Sequence, residues 1–148
     1  NFTMRLSYGF IQDYTSQGTH FDYYTNAKSL LDKAAKQDEI EDYRLEDDIV
    51  NLLKKGQWGR YADKQTGDLH LCFLSNNDIT GGNSGSPMFN GKGELIGLAF
   101  DGNWEAMSGD ISFDSSLQRC IGVDIRFVLF VIEHWGHADN LIRELGLK

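Results

Sequence analysis

Apolar residues change their spacing several times along this chain, and each change predicts an element. Leu69 to Leu74 is a dense short run that reads as a strand. A second strand starts at Met88-Phe89, turns at Asn90-Gly91-Lys92-Gly93 and returns over Glu94 to Phe100, a hairpin with glycines where the turn needs them. Arg119 to Val123 gives a further short strand. Near the start, Thr3 to Gly9 alternates in a strand-like way and Ile11 to His20 holds turn formers, so two short strands joined by a loop are expected there. Between residues 27 and 55 the spacing becomes helical. Thr25 or Asn26 caps the stretch, Leu30, Leu31, Ala34 and Ala35 recur on one face, and a break is expected near Gln37-Asp38. Ile49, Val50, Leu52 and Leu53 then supply a second apolar face, with Lys54-Lys55 as a basic last turn and Gly56 as the stop. Trp58 to Asp68 and Asp101 to Asp110 read as loops. Asp124 to Trp135 and Ala138 to Leu147 read as helices broken at Gly136. The expected class is mainly β with helices.

Length and charge narrow the function. The 148 residues suit one domain, or one half of a larger unit. A net charge of −8 without a basic stripe excludes a nucleic-acid partner, since phosphate neutralisation needs clustered Lys and Arg. No apolar run approaches the ~20 residues of a membrane helix, so no membrane partner is expected. The acids between Asp38 and Asp48 lack the spacing of a calcium loop and read as a solvated helix face. Cys72 and Cys120 are too few for a metal site; both sit among apolar neighbours, where a free buried pair is favoured over a bridge. No metal or other cofactor is expected.

The chemistry concentrates in Gly82-Asn83-Ser84-Gly85-Ser86-Pro87. A serine hydroxyl becomes a useful nucleophile when it stands exposed on a tight turn beside a general base. Flanking glycines free the backbone to aim N–H groups at one point. Here the N–H groups of Gly82 and Ser84 form the expected oxyanion hole, worth about 3–4 kcal/mol per donor in comparable enzymes. The same residue types also build an ordinary loop, and the motif alone leaves that alternative open.

What surrounds the turn carries a resemblance. Asn76 to Pro87, followed by Gly93 to Asp110, resembles the bacterial chymotrypsin-like exopeptidases of the dipeptidyl-peptidase 7 and 11 family. Asn1 to Gly9, Gly59 to Asp63 and Val123 to Phe130 are similar to that family's C-terminal segment, so the resemblance covers nearly the whole chain, least firmly between Lys28 and Leu53. It implies the C-terminal β-barrel part of a double β-barrel, with residues 1–148 as the C-terminal part of a peptidase catalytic domain. It also implies a periplasmic or cell-surface serine exopeptidase that removes dipeptides from peptides with a free N-terminus. Separately, a homo-oligomer, a dimer, is expected from the aromatic-rich start and a strand set too short to close a two-barrel core. Ser84 matches the family's nucleophile. Asp101 matches the acid that binds the substrate ammonium, on a cleft wall of Ala99-Phe100-Asp101-Gly102 that includes Phe100 as a substrate-binding residue. Family members with arginine at the position of Gly102 favour acidic residues beside the cut bond, and those with glycine favour hydrophobic ones. Gly102 thus implies a hydrophobic preference. Asp78 stands where trypsin-like enzymes recognise Lys or Arg, but this family carries that aspartate without the preference, and Asp78 is read as structural.

A triad also needs a histidine and an orienting acid. The chain has His20, His70, His134 and His137, none in a motif resembling the family's catalytic histidine. His20 and His70 read as turn or strand-surface residues, and His134 and His137 as the end of a helix, where a protonated ring suits the dipole. The histidine and aspartate are therefore expected outside these residues, together with the first barrel and a helical insertion, and the isolated chain is expected to be inactive. Two other readings remain: a compact serine hydrolase using His70, and a non-enzymatic binding or oligomerisation module.

Overall fold

A computed structural model describes residues 3–36, 40–108 and 111–147. Its strands are β1 (Tyr14–Ser16), β2 (Thr19–Phe21), β3 (Tyr24–Asn26), β4 (His70–Ser75), β5 (Pro87–Phe89), β6 (Leu95–Gly102) and β7 (Cys120–Asp124). Its α-helices are α1 (Ala27–Ala34), α2 (Asp47–Lys54), α3 (Ile125–Phe130) and α4 (Asp139–Glu144). The expected class, mainly β with helices, holds. β1 and β2 make a hairpin, and the other five strands form one sheet in the order β3-β4-β7-β6-β5. That order is open, so no closed barrel forms among the described residues.

The chain divides into two compact units. The first comprises the described parts of Asn1–Tyr24 and Cys72–Ile125. Its centre is the antiparallel trio β4, β7 and β6, in which Phe73 pairs with Gly122 and Ala99 pairs with Gly122 from the other side. The Phe73 ring explains two glycines. A Cβ on Gly97 would meet Phe73 Cε1 at 2.7 Å and the Val123 carbonyl oxygen at 2.5 Å, and one on Gly122 would meet Phe73 Cζ at 2.7 Å. The ring lies so close to both residues that only a hydrogen leaves it room. Cys72 and Cys120 are both free, and they face Val123 and Ser75 in the ladder, not each other. Burial pushes the Cys120 thiol up in pKa.

The start of this unit departs from expectation. Thr3 to Phe10 forms no strand; Ser7 Oγ donates to the Asp78 carbonyl at 3.0 Å, and Phe10 N–H donates to Asn76 Oδ1 at 2.7 Å. The hairpin instead lies at Tyr14–Phe21, inside the stretch read as turn formers, because Gln17 (φ 49°) and Gly18 (φ 78°) make a two-residue left-handed turn.

The second unit comprises Thr25–Leu71 and the described part of Arg126–Lys148. Asn26 caps α1 reciprocally with Ser29: Asn26 Oδ1 accepts the Ser29 N–H at 2.9 Å, and Ser29 Oγ accepts the Asn26 N–H at 3.1 Å. The expected break at Gln37-Asp38 lies outside the described residues. Gly56 stops the chain beyond α2 with φ 62°. Leu53, Tyr61, Leu69, Phe130 and Ile142 are buried, and Trp58 and Tyr61 meet the Phe130 ring edge-on. The helix expected from Asp124 to Trp135 is present and ends at Gly136, but its second half is π-helical: α3 passes into a π-helix at Val131–Trp135.

Two acids tie this unit's loops down. Asp63 Oδ1 accepts the N–H groups of Gln65 and Thr66, while Oδ2 accepts from Arg126 at 2.8 Å. The Arg126 guanidinium holds the Asp63 carboxyl well below the usual carboxylate range. Glu133 accepts from the Tyr61 hydroxyl and from Arg60, and these bonds lower its pKa too.

Candidate active site

The serine turn is built from its own polar atoms. Asn83 Oδ1 accepts the Thr80 N–H at 2.9 Å, and Asn83 N–H returns to the Thr80 carbonyl at 3.1 Å. Gly82 (φ 94°) and Gly85 (φ 83°) take left-handed conformations on either side of Ser84, which explains glycine at both. β6 then clamps the far side: Gly85 N–H donates to the Ala99 carbonyl at 2.7 Å, and Ala99 N–H donates to Ser86 at 2.8 Å. Ser84 is exposed, and its Oγ donates to the Phe100 carbonyl at 3.2 Å. Among the described residues, the N–H groups of Gly82 and Ser84 enter no internal hydrogen bond.

The other predicted residues lie along the same strand. Phe100 (58% exposed) and Asp101 are exposed near the C-terminal end of β6, and Asp101 Oδ1 accepts the Gly102 N–H at 2.7 Å. Gly102 pairs with Cys120 at the end of the ladder. A β-bulge between Ala99 and Asp101 shifts the register here, which re-aims the side chains that follow it. Serine, Phe100, Asp101 and Gly102 are thus brought to one edge of the first unit. Asp78 is exposed, and its main-chain carbonyl, not its carboxylate, takes the recorded contacts from Ser7 and Asn77.

Asn103, Arg119 and Ala106 were not singled out in the sequence. Asn103 is 8% exposed and pairs with Arg119 in both directions: Asn103 N–H donates to Arg119 O at 2.9 Å, and Arg119 N–H donates to Asn103 Oδ1 at 2.8 Å. Arg119 is almost wholly buried. Its Nε donates to Gln12 O, Nη1 to Ser115 O and Gln118 O, and Nη2 to Asp13 O and Ser116 O. These account for all the N–H donors that a guanidinium has. A buried arginine in a strand-forming stretch carries a weak sequence signal, since its partners are main-chain atoms of any residue type. After Asn103 the chain makes a 3-10 turn, Trp104–Ser108, that places Ala106 against Gly102.

None of the histidines is at this edge in the way a triad requires. His20 is exposed on β2, with Nε2 3.4 Å from Asp22 and 3.7 Å from Asp13. His70 is not on the strand surface as expected: it is 4% exposed, and its Nε2 lies 3.0 Å from Thr66 Oγ1. Main-chain bonds folding the Asp63–Asp68 loop back bring Thr66 to it. The His134 ring packs on Phe130 and Tyr61 within the π-turn, and His137 follows that turn with φ 50°. Among the described residues no cluster of three or more His, Cys, Asp or Glu is arranged for a metal, and no helix is long and apolar enough to cross a membrane.

The turn thus carries an exposed serine flanked by left-handed glycines and is bonded to an antiparallel sheet. The chain belongs to the Peptidase S46 family, whose sequence profile matches residues 1–147. Dipeptidyl-peptidase 7 of Porphyromonas gingivalis is 54% identical over 148 residues, covering 99% of this chain and 20% of that protein. An Asp/Glu-specific dipeptidyl-peptidase of the same organism is 36% identical over 149 residues, covering 99% of this chain and again 20% of the relative. The crystal structure of Porphyromonas endodontalis DPP11 in complex with the dipeptide Arg-Glu superposes with a TM-score of 0.88 at 33% identity, covering 96% of this chain and 20% of that one. The chain therefore spans about one fifth of the length of these relatives.

Proposed function

We propose that this chain is the C-terminal part of the catalytic domain of a bacterial serine dipeptidyl-peptidase, with Ser84 as nucleophile. The observation that carries the reading is the exposed Ser84 hydroxyl between Gly82 and Gly85, on a turn bonded to the strand that also bears Asp101. In this reading Ser84 Oγ attacks the carbonyl of the second residue of a peptide and gives its proton to a histidine outside residues 1–148. The negative charge that develops on the carbonyl oxygen meets the N–H groups of Gly82 and Ser84. The exposed Asp101 carboxylate pairs with the free ammonium of the substrate and so counts two residues from the chain end. Phe100 lines the same wall.

A hydrophobic preference beside the cut bond is part of the proposal. Its support is chemical: the arginine whose main chain runs beside Gly102 is Arg119, and its guanidinium is spent on five main-chain carbonyls. It has no donor to offer a substrate carboxylate. Placement in the periplasm or at the cell surface accompanies the proposal by resemblance to the family, and assembly as a homodimer accompanies it as a separate expectation.

The test uses the full-length polypeptide that contains this chain. Ser84→Ala is expected to lower dipeptide release by orders of magnitude, because triad members act as a unit, and to abolish labelling by a fluorophosphonate. Asp101→Ala is expected to depress turnover of free-amine peptides far more than it disturbs folding. Purified residues 1–148 alone are expected to release none. Full activity of Ser84→Ala, with labelling at another serine, overturns the reading.

A further inference from the structure

The space that a side chain at residue 102 would enter is already occupied. A Cβ built on Gly102 would stand 2.8 Å from the Cβ of Ala106, with Ile79 Cγ2 and the Arg119 carbonyl oxygen each 3.9 Å away. Bonded neighbours apart, carbon atoms do not pack so closely, so the Ala106 methyl lies directly on the bare face of the glycine.

That methyl is held firmly. Ala106 N–H donates to the Asn103 carbonyl at 2.9 Å. The Asn103 Nδ2 donates to Leu117 O and to Glu105 Oε2, both at 2.9 Å, and its backbone and Oδ1 pair with Arg119. Glu105 lies beside the Ser16 and Tyr14 hydroxyls on the hairpin, which draw its pKa down. The turn is therefore pinned to Leu117 and Arg119, just before β7, and to the hairpin, and it forms a wall, not a loose flap.

We propose that Ala106 is a specificity-determining residue: its side chain, together with bare Gly102, sets how large a substrate side chain the site accepts beside the cut bond. This rests on the reading of Ser84 and Gly102 given above. Ser84 is bonded to Phe100, and two residues of strand, about 7 Å, separate Phe100 from Gly102. That is the reach of an amino-acid side chain pointing from a carbonyl at Ser84 toward the end of β6. The groups nearest the bare face of Gly102 are the Ala106 methyl, the Ile79 side chain and the Arg119 carbonyl, none of which offers a hydrogen-bond donor. The site therefore rewards apolar groups, and the size of residue 106 caps their length. A glycine at 102 is necessary for this arrangement, since any Cβ there collides with Ala106, but it does not set the size alone.

The test is a panel of fluorogenic dipeptides with a constant first residue and Ala, Val, Leu, Met, Phe or Glu second, run on the full-length protein. Ala106→Val is expected to lower kcat/KM for Leu, Met and Phe about tenfold or more relative to Ala. Ala106→Gly is expected to shift preference the other way, toward Phe. An unchanged ranking in either folded variant overturns the proposal, as does an equal fall for every substrate, which marks a structural role only. Should Ala106→Val fail to fold, Ala106→Gly decides alone. An unmodified protein that releases no dipeptide, or a fully active Ser84→Ala, brings down the underlying peptidase reading itself. A protein that is active but already prefers Glu removes the hydrophobic assignment, and the Ala106 proposal with it.

Discussion

Gly102 and Ala106 share one side-chain site: the Cβ that Gly102 lacks would sit 2.8 Å from the Cβ that Ala106 has. Gly102 is not in a left-handed conformation, so its need for glycine is steric. Gly102→Ala is expected to destabilise the protein by about 1–3 kcal/mol through overpacking. Ala106→Gly should relieve most of that cost. The double variant is then more stable than the single costs added together, and a denaturant double-mutant cycle measures the coupling. For the same reason Gly102→Arg is expected to gain activity on acidic substrates chiefly when Ala106→Gly accompanies it.

Arg119 offers a sharper loss. It is 1% exposed and donates to Gln12, Asp13, Ser115, Ser116 and Gln118. Arg119→Met keeps much of the apolar stem but leaves these carbonyls without their donor. The expected cost is a few kcal/mol, since each buried carbonyl left without a donor costs about 1–3 kcal/mol unless water replaces the arginine. Arg119→Lys should recover little, since an ammonium has three donors and no planar fork. Urea midpoints of the three proteins check this.

The two glycines under Phe73 are expected to differ. At Gly97 a methyl meets the Val123 carbonyl at 2.5 Å, a main-chain atom that cannot step aside. At Gly122 the blocking atoms are Met88 Sδ and the Phe73 ring, both side chains. Gly97→Ala should therefore cost more than Gly122→Ala, and Phe73→Leu should rescue the second and not the first. Thermal unfolding of the single and paired variants measures the contrast.

Acid should unfold the protein through its bonded carboxylates. Asp63, held by Arg126, and Glu133, held by Tyr61, both have folded-state pKa values below their ordinary ones. A depressed pKa contributes stability that is present above the unfolded value, about 4, and is lost as pH falls through the folded one. Stability is therefore expected to be flat from pH 7 to about 5 and to decline below. Arg126→Met should lower the pH 7 plateau and flatten part of that decline. Melting temperatures across this range, for both proteins, make the comparison.

Much of this protein is written locally. Asn26 with Ser29, Gly56 after α2, the Asn90–Gly93 turn and the glycines around Ser84 act within a few residues of themselves, and each reads directly from the chain. Run lengths likewise place β4, β6 and β7, because a buried strand must be apolar whatever it pairs with. Local reading fails where the deciding contact is distant. The Tyr14–Phe21 hairpin was hidden by residues that also form loops, and His70 looked like a surface residue until the Asp63–Asp68 loop folded back to bring Thr66 to it. Arg119 takes its partners from Gln12 and Asp13, more than a hundred residues earlier, and they are carbonyls that every residue type possesses. Ala106 is an unremarkable alanine until the tertiary fold lays it on Gly102. Sequence by itself determined the serine turn and its strand, because backbone conformation there depends on glycine; which side chains wall the space beside that turn was decided by packing, to which no single residue type is a guide.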